Sequence, residues 1–348
     1  MATGAPDPGG RRLGAVQAPP PAPLAKQGAA LRRCLVLGPL RLHLDFASPA
    51  LAAIFGDALA VQQTDADPPV ADVQDWQLTV AAGTPAPAQV PAGAGGEMRL
   101  LADADTYALW MGRHAPVLHM VDRRRRQALY WVADPAAVPA WERSRPFLPI
   151  LQAMLDETPW IAVHGAAIAC RAGAGHRAVL LAGAGHAGKT SLSLAGLATG
   201  WRFAGDDFVL LRTDDRPAVA PLYATARLRD DMLAQFAALL PARREISEEQ
   251  GERRHELSLA GRGSIGGAPL GALLLLERRG AAAPLLAPVT RSALLQGLAA
   301  TTAVATPGHA AARTGKLLRL LGGTGPARRF DPGPDFPAAL SALRALLA

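Results

Sequence analysis

The residues best able to do chemistry lie close together in the second half of the chain. Gly183-Ala184-Gly185-His186-Ala187-Gly188-Lys189-Thr190 matches G-x-x-x-x-G-K-[ST] at every required position. A loop of this kind leads a strand into a helix, turns its backbone N–H groups inward and adds the positive end of the helix, which together cradle a polyphosphate. In that chemistry Lys189 reaches the β and γ phosphates and the Thr190 hydroxyl ligates Mg²⁺. Gly183, Ala184, Gly185, His186, Ala187 and Gly188 supply backbone, and His186, at a position the pattern leaves free, could touch a phosphate. Further on, Asp206-Asp207 stands between apolar stretches. Burying two carboxylates without partners is expensive. Mg²⁺ for one and the proton of an attacking hydroxyl for the other would supply partners; the alternative is a turn whose two Asp side chains cap backbone N–H groups. His164, before Gly165 in an apolar stretch, reads as a hydrogen-bonded core residue. Asp214 and Asp215, followed by Arg216-Pro217, read as an exposed turn.

Several elements must position these groups. Trp160–Ala169 reads as one apolar strand, a Gly-rich turn follows at Ala172–His176, and Ala178–Ala182 is the strand that feeds the loop. Ser191–Ala198 then forms a buried helix with Gly200 as its stop. Upstream, Phe147, Ile150, Leu151, Met154 and Leu155 fall at helical spacing between Pro146 and Pro159, a helix joining two modules. Residues 31–145 alternate in short apolar runs and predict a β-rich N-terminal module. Within it, Val117–Val121 and Ala128–Val132 pair around Asp122–Arg126, whose four arginines read as a solvated hairpin tip rather than a phosphate grip. Residues 1–30 carry Pro6, Pro8, Pro19, Pro20, Pro21 and Pro23 among Ala and Gly, the composition of a disordered tail. Ser292–Gly325 reads as Ala/Leu-rich helix interrupted by loops, and no internal repeat is visible.

Composition narrows the function classes. The 348 residues are 50% hydrophobic and 19% charged, which predicts a globular chain of one large or two modest domains. Cys34 and Cys170 are too few for a disulfide framework and too far apart for C-x-x-C, so a reducing cytoplasm is expected. Met1–Pro23 holds no continuous apolar core of a secretion signal. The uncharged stretch Ser292–Ala312 contains Gln296, Thr301, Thr302, Thr306 and Pro307, which argues against a membrane span. The net charge of +7 comes from arginine, because Lys26, Lys189 and Lys316 are the only lysines. No helix-turn-helix or aromatic-interleaved basic stripe accompanies it, so no nucleic-acid partner is expected. The absence of N-K-x-D disfavours a GTPase.

Taken together, His164-Gly165, the loop Gly183–Thr190 and Gly200–Leu211 with its Asp206-Asp207 pair resemble the catalytic domain of HPr kinase/phosphorylase and related HPr-kinase-like proteins. In that family a His-Gly strand precedes a G-x-x-G-x-G-K-[ST] loop, and an Asp-Asp pair follows a short helix ending in Gly. Leu222–Arg229, the strand-like Pro269–Arg278 and the end Ala327–Phe330 with a terminal helix Pro337–Leu347 are similar to the family as well, so the resemblance covers residues 150–348. It implies that Asp207 is general base toward a seryl hydroxyl, that Asp206 supports Mg²⁺ and that His164 sits beside the phosphate site. It further implies ATP as phosphoryl donor and a homo-oligomer. The chain departs from the pattern at Gly185, where Ser is common, and at His186, where Gly is common. Residues 1–150 do not resemble the family's N-terminal domain, and its docking segment is not identifiable in Arg243–His255.

The resulting expectation is an α/β protein in which a P-loop kinase-like domain of the PEP-carboxykinase/HPr-kinase type, residues 150–348, follows a smaller β-rich module. Its expected activity is Mg-ATP-dependent transfer of the γ-phosphoryl group to a serine of a protein or peptide, either HPr-like or the substrate of a peptide-tailoring system. A P-loop ATPase, a non-catalytic nucleotide-binding module and a small-molecule kinase remain alternatives.

Overall fold

Alternation of apolar and polar side chains dominates the first part of the chain and yields strands. The computed structural model describes residues 30–60, 73–84, 86–87, 98–112, 116–236, 243–249, 252–305, 307–323 and 325–348. The expected tail, residues 1–30, lies outside them except for its last residue. A seven-stranded sheet is built from β1 (Leu31–Leu37), β2 (Leu40–Phe46), β3 (Gln74–Ala82), β4 (Met98–Ala102), β5 (Thr106–Met111), β6 (Val117–Asp122) and β7 (Gln127–Val132), in the order β1-β2-β3-β7-β6-β5-β4. In β2 the two-residue period is plain: Leu40, Leu42, Leu44 and Phe46 are buried while Arg41 and His43 face water. Helix α1 (Pro49–Phe55), capped by Ser48 accepting from Leu51 N, covers one face with Leu51, Ala52 and Phe55. The expected β-rich N-terminal region is therefore present.

One part of the hairpin expectation is corrected. Arg124, Arg125 and Arg126 are exposed at the β6–β7 tip, but Arg123 is buried, with its NH2 3.3 Å from Asp156 Oδ2 and its NH1 donating to Asp103 O at 2.9 Å. Arg313 meets the same carboxylate, Nε to Oδ1 at 2.8 Å. Asp156 thus ties the first sheet to the C-terminal half, and Arg123 is drawn inward because these oxygens meet its donors.

Helices α2 (Ala140–Ser144) and α3 (Leu148–Leu155) lead into a nine-stranded sheet, and every residue of α3 is buried. The sheet contains β8 (Trp160–His164), β9 (Ala166–Ala172), β10 (Gly175–Ala182), β11 (Arg202–Gly205), β12 (Phe208–Arg212) and β13 (Ala218–Pro221), joined by β17 (Ala268–Leu276), β18 (Leu285–Pro288) and β19 (Arg328–Asp331). Between them in sequence, β14 (Thr225–Arg229), β15 (Arg243–Glu249) and β16 (Glu252–Ser258) form a separate antiparallel sheet in the order β14-β16-β15. The large sheet's main path is β11-β9-β10-β17-β13-β12-β8, with β10 and β17 parallel.

Helices cover both faces of this sheet, and β10 shows why. Val179 and Leu181 point into a core with α4 (Lys189–Ala198) and α7 (Phe336–Leu347), while Ala178, Leu180 and Ala182 point into another with α5 (Arg291–Ala305) and α6 (Ala310–Gly323). The long interrupted stretch Ser292–Gly325 is α5 and α6. A further core runs from β2, β3, α1 and α3 into β8 and β12 through Trp160, Ala162, Phe208 and Leu210, so the N-terminal sheet packs directly on the larger one. The chain is mixed α/β, with seven α-helices among the described residues. None of these is long and apolar enough to cross a membrane.

The single strand expected over Trp160–Ala169 is two. β8 pairs with β12, whereas β9 pairs with β10 and β11, and Gly165 is the crossing point. A Cβ at Gly165 would stand 2.9 Å from Leu181 O, so only glycine lets the chain pass this close to the strand that feeds the loop.

Candidate functional site

β10 ends at Ala182 and the chain turns at once, with Gly183 at φ 143° and its Cα so near β17 that a Cβ would lie 2.6 Å from Leu276 O. The loop then enters α4 from Gly188 in left-handed backbone, and no side chain caps the helix start. Its first N–H groups are therefore not met by a capping side chain. His186 also has positive φ, 64°, the conformation that the Gly of similar loops adopts freely. The position is therefore conformationally constrained, contrary to the free variation read from the pattern. His186 Nδ1 lies 2.9 Å from Arg229 NH1, which holds the loop against β14.

Lys189 is buried and donates through Nζ to Gly183 O and Ala184 O, both at 2.9 Å, so the ammonium already lies inside the loop. Burial lowers its affinity for a proton, a shift that Asp206 and Asp207 oppose. Thr190 Oγ1 stands 3.0 and 2.9 Å from the two oxygens of Asp206, and Arg227 N donates to Asp206 Oδ2 at 3.4 Å. Asp206 is only 1% exposed. Burial, followed by the neighbouring charge of Asp207, pushes its carboxyl up to about 7 against the Thr190 and Arg227 hydrogen bonds.

Asp207, one residue on, is treated in the opposite way. Phe208 N returns to Asp206 O at 2.7 Å, closing a three-residue turn around Asp207, whose φ is 61°. Turns of that hand are rare and strained, and they persist where surrounding contacts over-determine them. Here Gly165 N donates to Asp207 O at 3.2 Å, and Phe208 pairs with His164 at the start of the β12–β8 ladder. The carboxylate faces His164 Nε2 at 3.4 Å, Arg145 Nε at 3.4 Å and Arg227 NH1 at 3.6 Å. Burial alone would raise its pKa, but Arg145, His164 and Arg227 outweigh that and hold it well below the usual carboxylate range. Asp207 is therefore ionised throughout the neutral range. His164 is itself fixed from behind, its N–H donating to Thr302 Oγ1 of α5 at 3.0 Å.

All the residues singled out in the sequence as chemically able converge. His164, Gly185, His186, Ala187, Gly188, Lys189, Thr190, Asp206 and Asp207 line one cavity of about 280 Å³. Gly183 and Ala184 sit behind it and anchor Lys189. Asp214 lies apart, bound by Arg212 through Nε and NH2, beside the exposed Asp215.

Sequence reading gave no role to the arginines of the rim. Arg227, Arg229, Arg254 and Arg278 line the cavity, and Arg145 reaches Asp207 from the turn before α3. A signal for Arg278 existed: it follows β17, the parallel neighbour of the loop strand, and ligands gather at the carboxyl ends of such strands. Arg227 and Arg229, two apart on β14, share one face, which period-two reading can find. Arg145, between Ser144 and Pro146, carries no such signal.

The cavity combines a helix start without a capping side chain, a loop lysine, a hydroxyl on one carboxylate and a second carboxylate faced by two arginines and a histidine. Mg²⁺ fits the Thr190–Asp206 pair: both donors are hard oxygens, and a buried carboxyl displaced toward its neutral form gains from a cation beside it. Among the described residues no group of three or more His, Cys, Asp or Glu is placed to hold a metal ion by itself. No protein-family model matches the chain, and a search of curated proteins returns no match either.

Proposed function

We propose that the chain is a Mg-ATP-dependent phosphotransferase of the HPr-kinase-like P-loop type that phosphorylates a serine hydroxyl of a protein or peptide. The observation that carries this reading is the split treatment of two adjacent carboxylates at the loop. Asp206 bonds the loop's own Thr190, while Asp207 is kept ionised and lines the same cavity. Hydrolysis of a nucleotide needs a place for water; a second carboxylate locked in a strained turn among His164, Arg145 and Arg227 suits a larger acceptor whose hydroxyl must be oriented.

The uncapped amides of α4 and the loop would bind the phosphates, and Lys189 would leave its two carbonyl contacts for the β and γ oxygens. Thr190 and Asp206 would hold Mg²⁺, which when bound offsets phosphate charge. Arg278 stands over the loop, its Nε 3.0 Å from where a Gly188 Cβ would be, so it would reach the phosphates from the β17 side. Asp207 would accept the hydrogen bond of the acceptor hydroxyl and then its proton. A low carboxylate pKa is compatible with that role, because phosphoryl transfer through a loose transition state asks mainly for positioning and charge stabilisation.

The test is transfer of labelled γ-phosphate from Mg-ATP into a soluble lysate by wild type, Lys189→Ala and Asp207→Asn. A labelled protein or peptide band is expected with wild type and is lost in both variants, while Asp207→Asn still binds nucleotide; the drop for Asp207→Asn is about 10²- to 10⁴-fold. Phosphate release with no labelled acceptor would establish an ATPase instead. Binding with neither product would establish a nucleotide-binding module.

A further inference from the structure

The two oxygens of Asp207 are held unequally. Oδ2 stands 3.4 Å from Arg145 Nε and 3.6 Å from Arg227 NH1, whereas Oδ1 stands 3.4 Å from His164 Nε2. His164 and Arg227 line the cavity beside Asp207 and Arg145 does not; Oδ2 and Arg145 Nε are both closed to water. The Asp207 side chain keeps 17% of its surface exposed, and that exposure lies away from Oδ2. We propose that Arg145 is a positioning residue: from behind the site it holds Asp207 Oδ2 inside the protein, which leaves Oδ1, beside His164, as the oxygen presented to the acceptor hydroxyl. This rests on the phosphotransferase reading above and adds to it a residue from the turn between α2 and α3, ahead of every strand of the large sheet.

Arg145 and Asp207 meet as ions rather than through an aligned hydrogen bond. Out of water their attraction is weakly screened, and separating such a pair leaves each charge buried without compensation. Oδ2 therefore cannot swing into the cavity without stranding the guanidinium. The backbone of Asp207 is already fixed by the three-residue turn at φ 61° and the contact from Phe208 N to Asp206 O at 2.7 Å. What freedom remains is rotation of the side chain, and Arg145 removes it.

Arg145 can act in this way because its own turn is rigid. Arg145 N donates to Trp141 O at 3.1 Å, Phe147 N to Glu142 Oε1 at 3.1 Å, and Tyr223 OH to Pro146 O at 3.0 Å. Phe147 is in left-handed backbone, φ 61°, and its ring packs 4.8 Å from Phe55 and 5.0 Å from Tyr130 of the N-terminal sheet region. Strained backbone of this sort persists where neighbours over-determine it. The Arg145 guanidinium also rests 5.8 Å from the centre of the Phe208 ring, next in sequence to the carboxylate it holds. The N-terminal module thereby bears on the orientation of a side chain in the cavity.

In the transfer step the acceptor oxygen attacks the γ phosphorus and forms the new O–P bond. The bond from that phosphorus to the β–γ bridging oxygen breaks, and its electron pair leaves on ADP. The hydroxyl proton passes to Asp207 Oδ1. Arg145 exchanges no proton and touches neither substrate; it fixes the direction from which Oδ1 meets the hydroxyl, where a misplacement of about 1 Å costs on the order of 100-fold in rate.

Full-length wild type, Arg145→Ala and Arg145→Lys are compared, each also in the Asp207→Asn background, by transfer of labelled γ-phosphate from Mg-ATP to soluble lysate at fixed dilution and to N-acetylserine amide as a minimal hydroxyl. Thermal melting and nucleotide binding establish that each variant folds. Arg145→Ala is expected to lose about 10- to 100-fold in turnover at saturating ATP, with KM for ATP within about twofold. Arg145→Lys, which keeps the charge on a flexible stem, falls between alanine and wild type and carries the comparison should the alanine variant not fold. In the Asp207→Asn background the same replacements cost less than about twofold more, because a residue acting only through that carboxylate has nothing left to position. Equal losses in the two backgrounds, a loss confined to KM for ATP, or unchanged turnover in a folded variant would each overturn the assignment while leaving the phosphotransferase reading intact. A wild type that labels neither acceptor overturns both.

Discussion

Glu142, beneath the first sheet, and Asp206, beside the loop Gly183–Thr190, are both carboxylates sealed from water, and the chain surrounds them differently. Glu142 is fully buried beside His119, Nε2 to Oε2 at 3.8 Å, and Oε2, both His119 ring nitrogens and Tyr130 OH have no hydrogen-bond partner. Burial pushes Glu142 up to about 8 and His119 down to about 3, so each is neutral at pH 7. Asp206 is as dry, but it has the Thr190 hydroxyl, the Arg227 amide and Lys189 around it, and it opens on a cavity. The first site discards its charge to let a module close. The second keeps its carboxyl near neutrality at a cavity that opens to solvent.

Replacing each acid by its amide sharpens the contrast. At Asp206 the folded value of about 7 exceeds the unfolded one, about 3.9, so the fold gains from the proton below pH about 4 and loses that gain as pH rises toward 7. Asp206→Asn is therefore expected to be more stable than wild type at pH 8, by on the order of a few kcal/mol in chemical denaturation, with a smaller gap at pH 5. The same variant is expected to lose about 100-fold or more in apparent Mg²⁺ affinity, read by metal titration of the transfer rate. Retained Mg²⁺ dependence would remove Asp206 from the metal site.

At Glu142 the sign is the same and the functional readout differs. Its folded value of about 8 lies above the unfolded value of about 4.3, so Glu142→Gln is expected to stabilise by up to a few kcal/mol as pH rises to 8, with kcat nearly unchanged. Oε1 still accepts from Phe147 N, so the Arg145 turn is kept. His119, depressed to about 3, works the other way: its contribution is present above pH about 6.5 and is lost as pH falls toward 3. Melting curves from pH 4 to 9 decide this, and a Glu142→Gln variant less stable than wild type at pH 8 would mean that Glu142 is ionised and paired with a charged His119.

The smallest effect is expected in the loop itself. His186 stands at φ 64°, so His186→Gly should be neutral or slightly stabilising, whereas the β-branched His186→Val should cost about 1–2 kcal/mol in chemical denaturation and weaken nucleotide binding. Equal behaviour of the two variants would show that the left-handed backbone is not required there.

Much of the site was legible because the glycine-rich loop is contiguous. Gly183–Thr190, its flanking strand and helix, and Gly200, which sits at φ 86° after α4, follow from local turn geometry that residue type alone dictates. The Asp206-Asp207 pair was visible as two charges in apolar surroundings, but their opposite treatment was not, since it depends on Arg145, Arg227 and His164 arriving from elsewhere. The same holds for Trp160–Ala169, where periodicity reads a continuous apolar strand and only the approach of Leu181 O at Gly165 shows that it breaks. Arg123 gives the same lesson in the scaffold: local charge reads a solvated tip, yet Asp156, distant in sequence, draws it inside.

Local pattern, then, determined the strands of the first module, the loop, its helix and the identity of the acids, because backbone conformation and the period of burial are properties of neighbours in sequence. Tertiary structure alone decided which charges meet, which acid keeps its proton and which arginine faces Asp207. Those outcomes follow from distance and desolvation in three dimensions, and neither is written into the spacing of residues along the chain.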